Sequence, residues 1–224
     1  MGVAALCSTL TGRADSYSWT NLQSDIPGVA AHTDPNLVNP WGMAPNSTGS
    51  VIWVSDNGTG VSTLYHQDGT ALSLVVTIPT SKQNRGSGNP TGIVRNDTPF
   101  FNVTKNGISK PAKFIFVSED GSISGWNQSL DPMHAIIAVD NGTNKGVNTA
   151  VYKGATLGMA NGHNFLYVTN FHTGKVETYN ENFVQQAGFP FTDPNLPAGY
   201  APFGIRNFNG SNLCDLRRAG RKET

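Results

Sequence analysis

This sequence predicts an all-β chain folded as a β-propeller. A strand–turn–strand phrase recurs three times, turn residues are plentiful while helical periodicity is missing, and the five-residue phrase TDPNL at 33–37 is written again at 192–196. The chain has 25 Gly and 13 Pro. It shows no window with sustained i, i+3, i+4 apolar spacing. Short β-branched and aromatic runs between Gly, Asn and Asp turns take its place, the pattern of an all-β protein.

The repeats can be read in order. NPWGMAP (39–45) is followed by VIWVSDNGTGVSTLY (51–65). NPTGIVR (89–95) is followed by FIFVSEDGSISGWN (114–127), and GATLGMA (154–160) by FLYVTNFHTGKVETYN (165–180). APFGIRN (201–207) opens a fourth unit. Each unit reads as a Pro-x-Gly strand, a spacer, an aromatic strand ending in Val-Ser or Val-Thr, a tight acidic or Asn turn with Gly, and a third strand ending in Trp or Tyr. A fourth strand is expected at 72–79 and 135–140 and, less distinctly, at 182–189. Four strands in about 50 residues make one propeller blade. The repeated TDPNL then marks connections from the outer strand of one blade to the innermost strand of the next. There Pro fixes φ, and the following Gly lets inner strands approach the axis.

Composition sets bounds on function. The formal net charge is zero and only 13% of residues are charged, which excludes the basic surface that a nucleic-acid partner requires. The charge is unevenly spread, with Arg217, Arg218, Arg221 and Lys222 crowding the end. No apolar stretch approaches the ~20 residues of a membrane span. The first residues hold no apolar core long enough for a secretory signal, so either the protein is not exported by that route or its true start lies upstream. Cys7 and Cys214 lie too far apart in sequence to suggest a disulfide framework. N-x-S/T sequons, acceptors of N-linked glycan in a secreted eukaryotic protein, begin at Asn46, Asn57, Asn96, Asn102, Asn127, Asn141 and Asn209.

The run NLQSDIPGVAAHTDPNLVNPWG (21–42), with EDGSISGWN (119–127) and FTDPNLPAGYAPFGI (191–205), resembles an uncharacterised family of mostly bacterial exported proteins. More broadly it is similar to NHL/SMP-30-like (TolB-like) six-bladed propellers. The resemblance covers 17–213. It implies an extracellular or periplasmic location and brings no assigned reaction. By that pattern 17–213 holds about three to three and a half four-stranded blades of an incomplete six-bladed ring, with blades near 39–79, 89–140 and 150–189 and a fourth beginning at 201. Residues 1–16 are expected to be disordered. Where relatives continue with an aromatic strand, this chain reads NLCDLRRAGRKET (212–224). Residues 214–224 are therefore read as a disordered, out-of-frame tail and the chain as C-terminally truncated, with a divergent basic C-terminus as the alternative; were the tail to replace the aromatic strand, Arg217 and Arg218 would be buried in a core strand. The run YSWTNL (17–22) is expected to be an extended strand without its partner.

In a propeller, the loops leading into inner strands and those joining second and third strands share one face around the axis. Asn39, Asn89, Asp56, Glu119, Asp120, Asn170 and His172 are expected at that mouth. Asp56, Glu119, Asp120, Asn170 and His172 are candidate ligands for Ca²⁺ or another divalent metal such as Mg²⁺ or Zn²⁺, and Asn39 and Asn89 candidate channel-mouth binding residues. Asp-Asn-Gly, Glu-Asp-Gly and His-Thr-Gly are also ordinary turn sequences. His32, His66, His134 and His163 lack the short spacing of a zinc site. Trp41, Trp53, Trp126, Tyr167 and Phe203 fall at blade positions and read as core. Two functions remain open. One is a binding or scaffold module that recognises a protein, peptide or glycan on its loop face. The other is a metal-dependent hydrolase, lactonase or lyase with its site at the channel mouth.

Overall fold

The computed structural model describes residues 18–82, 88–144, 147–148, 150–188 and 196–219. Every regular element among them is a strand, and among these residues no helix is long and apolar enough to cross a membrane. A short parallel ladder joins β1 (Gln23–Ser24) to β2 (His32–Thr33). The first blade follows as β3 (Pro40–Pro45), β4 (Val51–Asp56), β5 (Val61–His66) and β6 (Val76–Thr77), hydrogen-bonded in that order. The second blade opens with β7 (Pro90–Arg95) and then departs into a hairpin, β8 (Asn102–Lys105) and β9 (Ile108–Pro111). It resumes with β10 (Phe114–Ser118), β11 (Ser122–Trp126) and β12 (Ile136–Asp140), giving the order β12-β11-β10-β7. A two-residue ladder, β13 (Thr143–Asn144) with β14 (Val147–Asn148), leads into the third blade. That blade is β15 (Tyr152–Ala160), β16 (His163–Asn170) and β17 (Lys175–Tyr179). The fourth unit pairs β18 (Tyr200–Phe208) with β19 (Ser211–Arg218).

The inner strands β3, β7, β15 and β18 lie side by side around an axis, and glycine makes that approach possible. A Cβ on Gly42 would press on the backbone of Thr91 and Ile93 in the next inner strand. One on Gly92 would lie 2.8 Å from the Ala155 nitrogen, and one on Gly154 2.8 Å from the Phe203 oxygen. Each glycine sits where the pairing of its inner strand shifts register, between Pro40 and Met43, Tyr152 and Ala155, and Pro202 and Ile205 on β3, β15 and β18, and opposite the Phe116–Ser118 shift on β7. Such bulges bend a strand and re-aim one side chain. Sequential inner strands around an axis, with sheets radiating outward, are a β-propeller arrangement.

The core lies between blades. Trp53 stacks on Phe114 at 4.2 Å and tilts against Trp126 at 4.7 Å, joining blades one and two. Ile115, Val117, Ile123, Tyr152, Leu166, Val168 and Tyr179 join blades two and three. Phe165, Tyr167 and Ile205 join blades three and four.

Several expectations are corrected. The fourth strand of blade one is confined to Val76–Thr77. Its Thr77 is bridged in parallel to His134, so a loop of blade two covers that edge. The fourth strand expected at 182–189 reduces to a Tyr179–Gln185 bridge, because Asn180 Oδ1 accepts from Asn182 and Val184 nitrogens and turns the chain away; residue 189 lies outside the described residues. The hairpin β8–β9 was not expected at all. Cys214–Arg218 belong to β19 and do not form a disordered tail. Residues alternate along β19 so that Asn212, Cys214 and Leu216 turn inward while Asp215, Arg217 and Arg218 are exposed, and the feared burial of charge does not arise. Trp19 is 83% exposed and regular pairing begins only at Gln23. Residues 1–16, the second TDPNL at 192–195, and 220–224 lie outside the described residues.

Candidate functional site

Four equivalent positions define the axial mouth. The residue before each inner-strand glycine is Trp41, Thr91, Lys153 or Phe203, one per blade. Thr91 is buried, and its single hydroxyl proton lies within reach of two carbonyl oxygens, Val117 O of its own blade at 3.0 Å and Tyr152 O of the next blade at 2.9 Å. The other three gather. The Lys153 ammonium lies 4.7 Å from the Trp41 ring centroid, 5.7 Å from that of Phe203 and 5.9 Å from that of Phe171, which comes from the β16–β17 turn. Trp41 and Phe203 meet at 5.4 Å, tilted by 31°. The Lys153 side chain is 11% exposed and forms an ion pair with Glu119, from the β10–β11 turn. Cation–π contacts of this kind strengthen as they lose water.

A relay of amides continues around the mouth. Asn39 Nδ2 donates to Asn57 Oδ1 at 3.1 Å, and Asn57 Nδ2 donates to Glu119 Oε2 at 3.0 Å. Asn89 Nδ2 reaches Asn57 O at 3.4 Å, and the Glu119 nitrogen donates to Asn89 O. Below this rim a cavity of about 750 Å³ runs along the inner strands. Trp41, Lys153 and Phe203 line one end; Arg95, Phe208 and Leu213 lie further along.

The structure thus brings Asn39, Asn89 and Glu119 together and scatters the other expected site residues. Asp56 is fully buried in its own hairpin, its Oδ2 accepting from Thr63 N at 3.0 Å and Thr63 Oγ1 at 2.8 Å, with Oδ1 left without a partner. That burial pushes its carboxyl up to about 7. Asp120 accepts from Ser81 N and from Ser122. Asn170 donates to Glu177 Oε1 at 2.6 Å and accepts from Val151 N. His172 is an exposed turn residue. Asp56 and Asp120 are engaged by their own neighbourhoods, and among the described residues no group of three or more His, Cys, Asp or Glu could hold a metal ion.

The sequons divide by exposure. Asn57, Asn96 and Asn127 are buried, and the side-chain nitrogens of Asn96 and Asn127 are bonded to backbone carbonyls. Asn141 Nδ2 donates to the Tyr152 and Tyr179 hydroxyls, and half-buried Asn46 donates to Ser50. Asn102 and Asn209 are exposed.

Lys153 and Phe171 are the site residues that sequence reading missed. Blade three begins with Tyr-Lys-Gly where the others read Pro-x-Gly, and aligning blades on Gly154–Ala160 hid the equivalence. Counting back from the glycine would have found Lys153.

Fold and site together define a β-propeller with a ligand-sized axial cavity and a charged, aromatic mouth. No family model matches the chain. It is 30% identical over 212 residues to uncharacterized protein R648 of Acanthamoeba polyphaga mimivirus, covering 92% of this chain and 50% of that protein. It is 32% identical over 183 residues to uncharacterized protein L690 of the same virus, covering 80% and 46%. The chain spans about half the length of these curated relatives. Among solved structures it is similar to virginiamycin B lyase from Staphylococcus aureus, with a TM-score of 0.41 and 17% identity over 80% of this chain and 65% of that one. A catalytically inactive form of that lyase with quinupristin gives 0.43 and 15%, over 82% and 65%.

Proposed function

We propose that this protein is a β-propeller binding module that takes a ligand at the axial mouth. One observation carries the reading: equivalent bulges on three blades turn Trp41, Lys153 and Phe203 toward one another over a cavity of about 750 Å³. Ligand pockets of this size combine apolar walls with a few placed polar groups, and here those groups are Lys153, Glu119 and the Asn39–Asn57 relay. The metal-dependent hydrolase or lyase is the weaker reading, since the acids it needs do not converge. An exported location, with the loop face turned to the outside, is compatible with the module. The test is a ligand-observed NMR screen of small fragments against the wild type and Trp41→Ala, with melting curves confirming that both are folded. The module reading predicts fragments whose signal depends on Trp41. A screen with no such fragment defeats it.

A further inference from the structure

The mouth is built around a cation whose hydrogen-bonding capacity is largely unused. A lysine ammonium has three N–H donors, and among the described residues Glu119 is the hydrogen-bond acceptor Lys153 meets. Its other neighbours are the rings of Trp41, Phe171 and Phe203, which attract positive charge but are poor acceptors. Glu119 itself is divided, with Oε2 taken by Asn57. The cavity walls add Arg95 and Arg206 against Asp97 and Asp215. Arg95 is paired with Asp97, Asp215 with Arg217 and Lys153 with Glu119, so Arg206 leaves the lining with one positive charge in excess. Arg217 also lies 5.2 Å from the Phe203 ring centroid, placing a second cation beside the same ring.

We propose that the mouth takes an organic monoanion with a flat apolar body. Its acidic group binds the Lys153 ammonium beside or in place of Glu119, and its ring packs on Trp41 and Phe203. The proposal rests on the module reading and narrows it to a ligand class. A charge-assisted bond to a nearly buried ammonium is stronger than a neutral one, and the tilted Trp41–Phe203 pair presents aromatic surface for offset or edge packing.

The probes are three molecules of one shape, phenylpropionate, phenylpropanol and phenylpropylamine, titrated by calorimetry into the wild type, Lys153→Met, Lys153→Arg and Glu119→Gln. The anion should bind at least about tenfold more tightly than the alcohol. Lys153→Met should abolish that preference, while Lys153→Arg should keep it. Glu119→Gln should strengthen anion binding by removing the competing carboxylate. Rising salt should weaken the anion alone. Equal affinity for all three, preference for the amine, or an anion preference that survives Lys153→Met each overturns the proposal. So does failure of all three to bind at millimolar concentration. If the fragment screen has meanwhile given Trp41-dependent hits, the module reading stands without this ligand class; an empty screen removes both.

Discussion

Asp56 shows how far one side chain can depart from its sequence role. An acid in an Asp-Asn-Gly turn near the axis reads as a metal ligand or an ordinary turn former. In the structure it is a fully buried carboxyl bonded to Thr63 through one oxygen. Desolvation raises its pKa from 3.8 to about 7, with the nearby Asp34 charge adding a little. The native state therefore holds this proton more tightly than the unfolded chain. The group supports folding fully below about pH 4, and that support is lost as pH rises to about 7, on the order of a few kcal/mol. Asp56→Asn retains an acceptor for Thr63 and removes the titration. Its stability, measured by urea unfolding between pH 4 and 8, should fall less with rising pH than that of the wild type. Parallel pH profiles for the two proteins would show that Asp56 is ionised without penalty. Glycan acceptance is also decided residue by residue. In a secretory eukaryotic host only Asn102 and Asn209 should be modified efficiently on the folded protein, as peptide mass mapping would show. Stoichiometric glycan at Asn96 or Asn127 would contradict the burial of those side chains.

Among the elements, the inner strands and the two-residue hairpins were unequally legible. The Pro-x-Gly phrase marked three of the four inner strands, because glycine is needed wherever one inner backbone abuts the next. Replacing Gly92 with Ala would put a methyl 2.8 Å from the Ala155 nitrogen and 2.9 Å from Val117 Cγ2. The expected loss is about 1–3 kcal/mol, read as a Tm lower by several degrees; an unchanged Tm would mean the strands are not so close. The hairpin β8–β9 carries a local signal of its own in Asn106–Gly107. Asn106 and Gly107 both have positive φ, 53° and 76°, as Asn161–Gly162 and Asn209–Gly210 do at the blade hairpins. Asn-Gly suits the primed turns that join twisted strands. The hairpin is an insertion between β7 and β10 with no counterpart in the other units, so the repeat does not predict it. Its burial is not local either. Phe101 is fully buried and meets Phe183 of blade three edge-on at 5.4 Å, and Lys105 pairs with Asp131, whose carboxyl is held well below the usual range chiefly by that lysine. Phe101→Ala should cost about 3–5 kcal/mol, a loss that an independent, loosely attached hairpin would not show in a global unfolding curve.

For the whole molecule, radial repetition was readable and convergence was not. Strand order and turns follow from local sequence, whereas the meeting of Trp41, Lys153, Phe171 and Phe203 depends on curvature accumulated over several blades. Trp41 and Phe203 consequently read as core, and Lys153 had no local signal beyond the glycine that follows it. The central claim is that these blades curve until Trp41, Lys153 and Phe203, each standing before an inner-strand glycine, meet at the axis. The most direct measurement is side-chain NMR of lysine Hε protons in protein labelled only at lysine, with Lys153 assigned through Lys153→Arg. An ammonium 4.7 Å from an indole centroid holds its neighbouring methylene in the ring current. One lysine signal should therefore stand clearly upfield of the others and move back toward them in Trp41→Ala. A wild-type spectrum in which every lysine Hε signal lies at the solvent-exposed position would contradict the axial mouth and the function proposed for it.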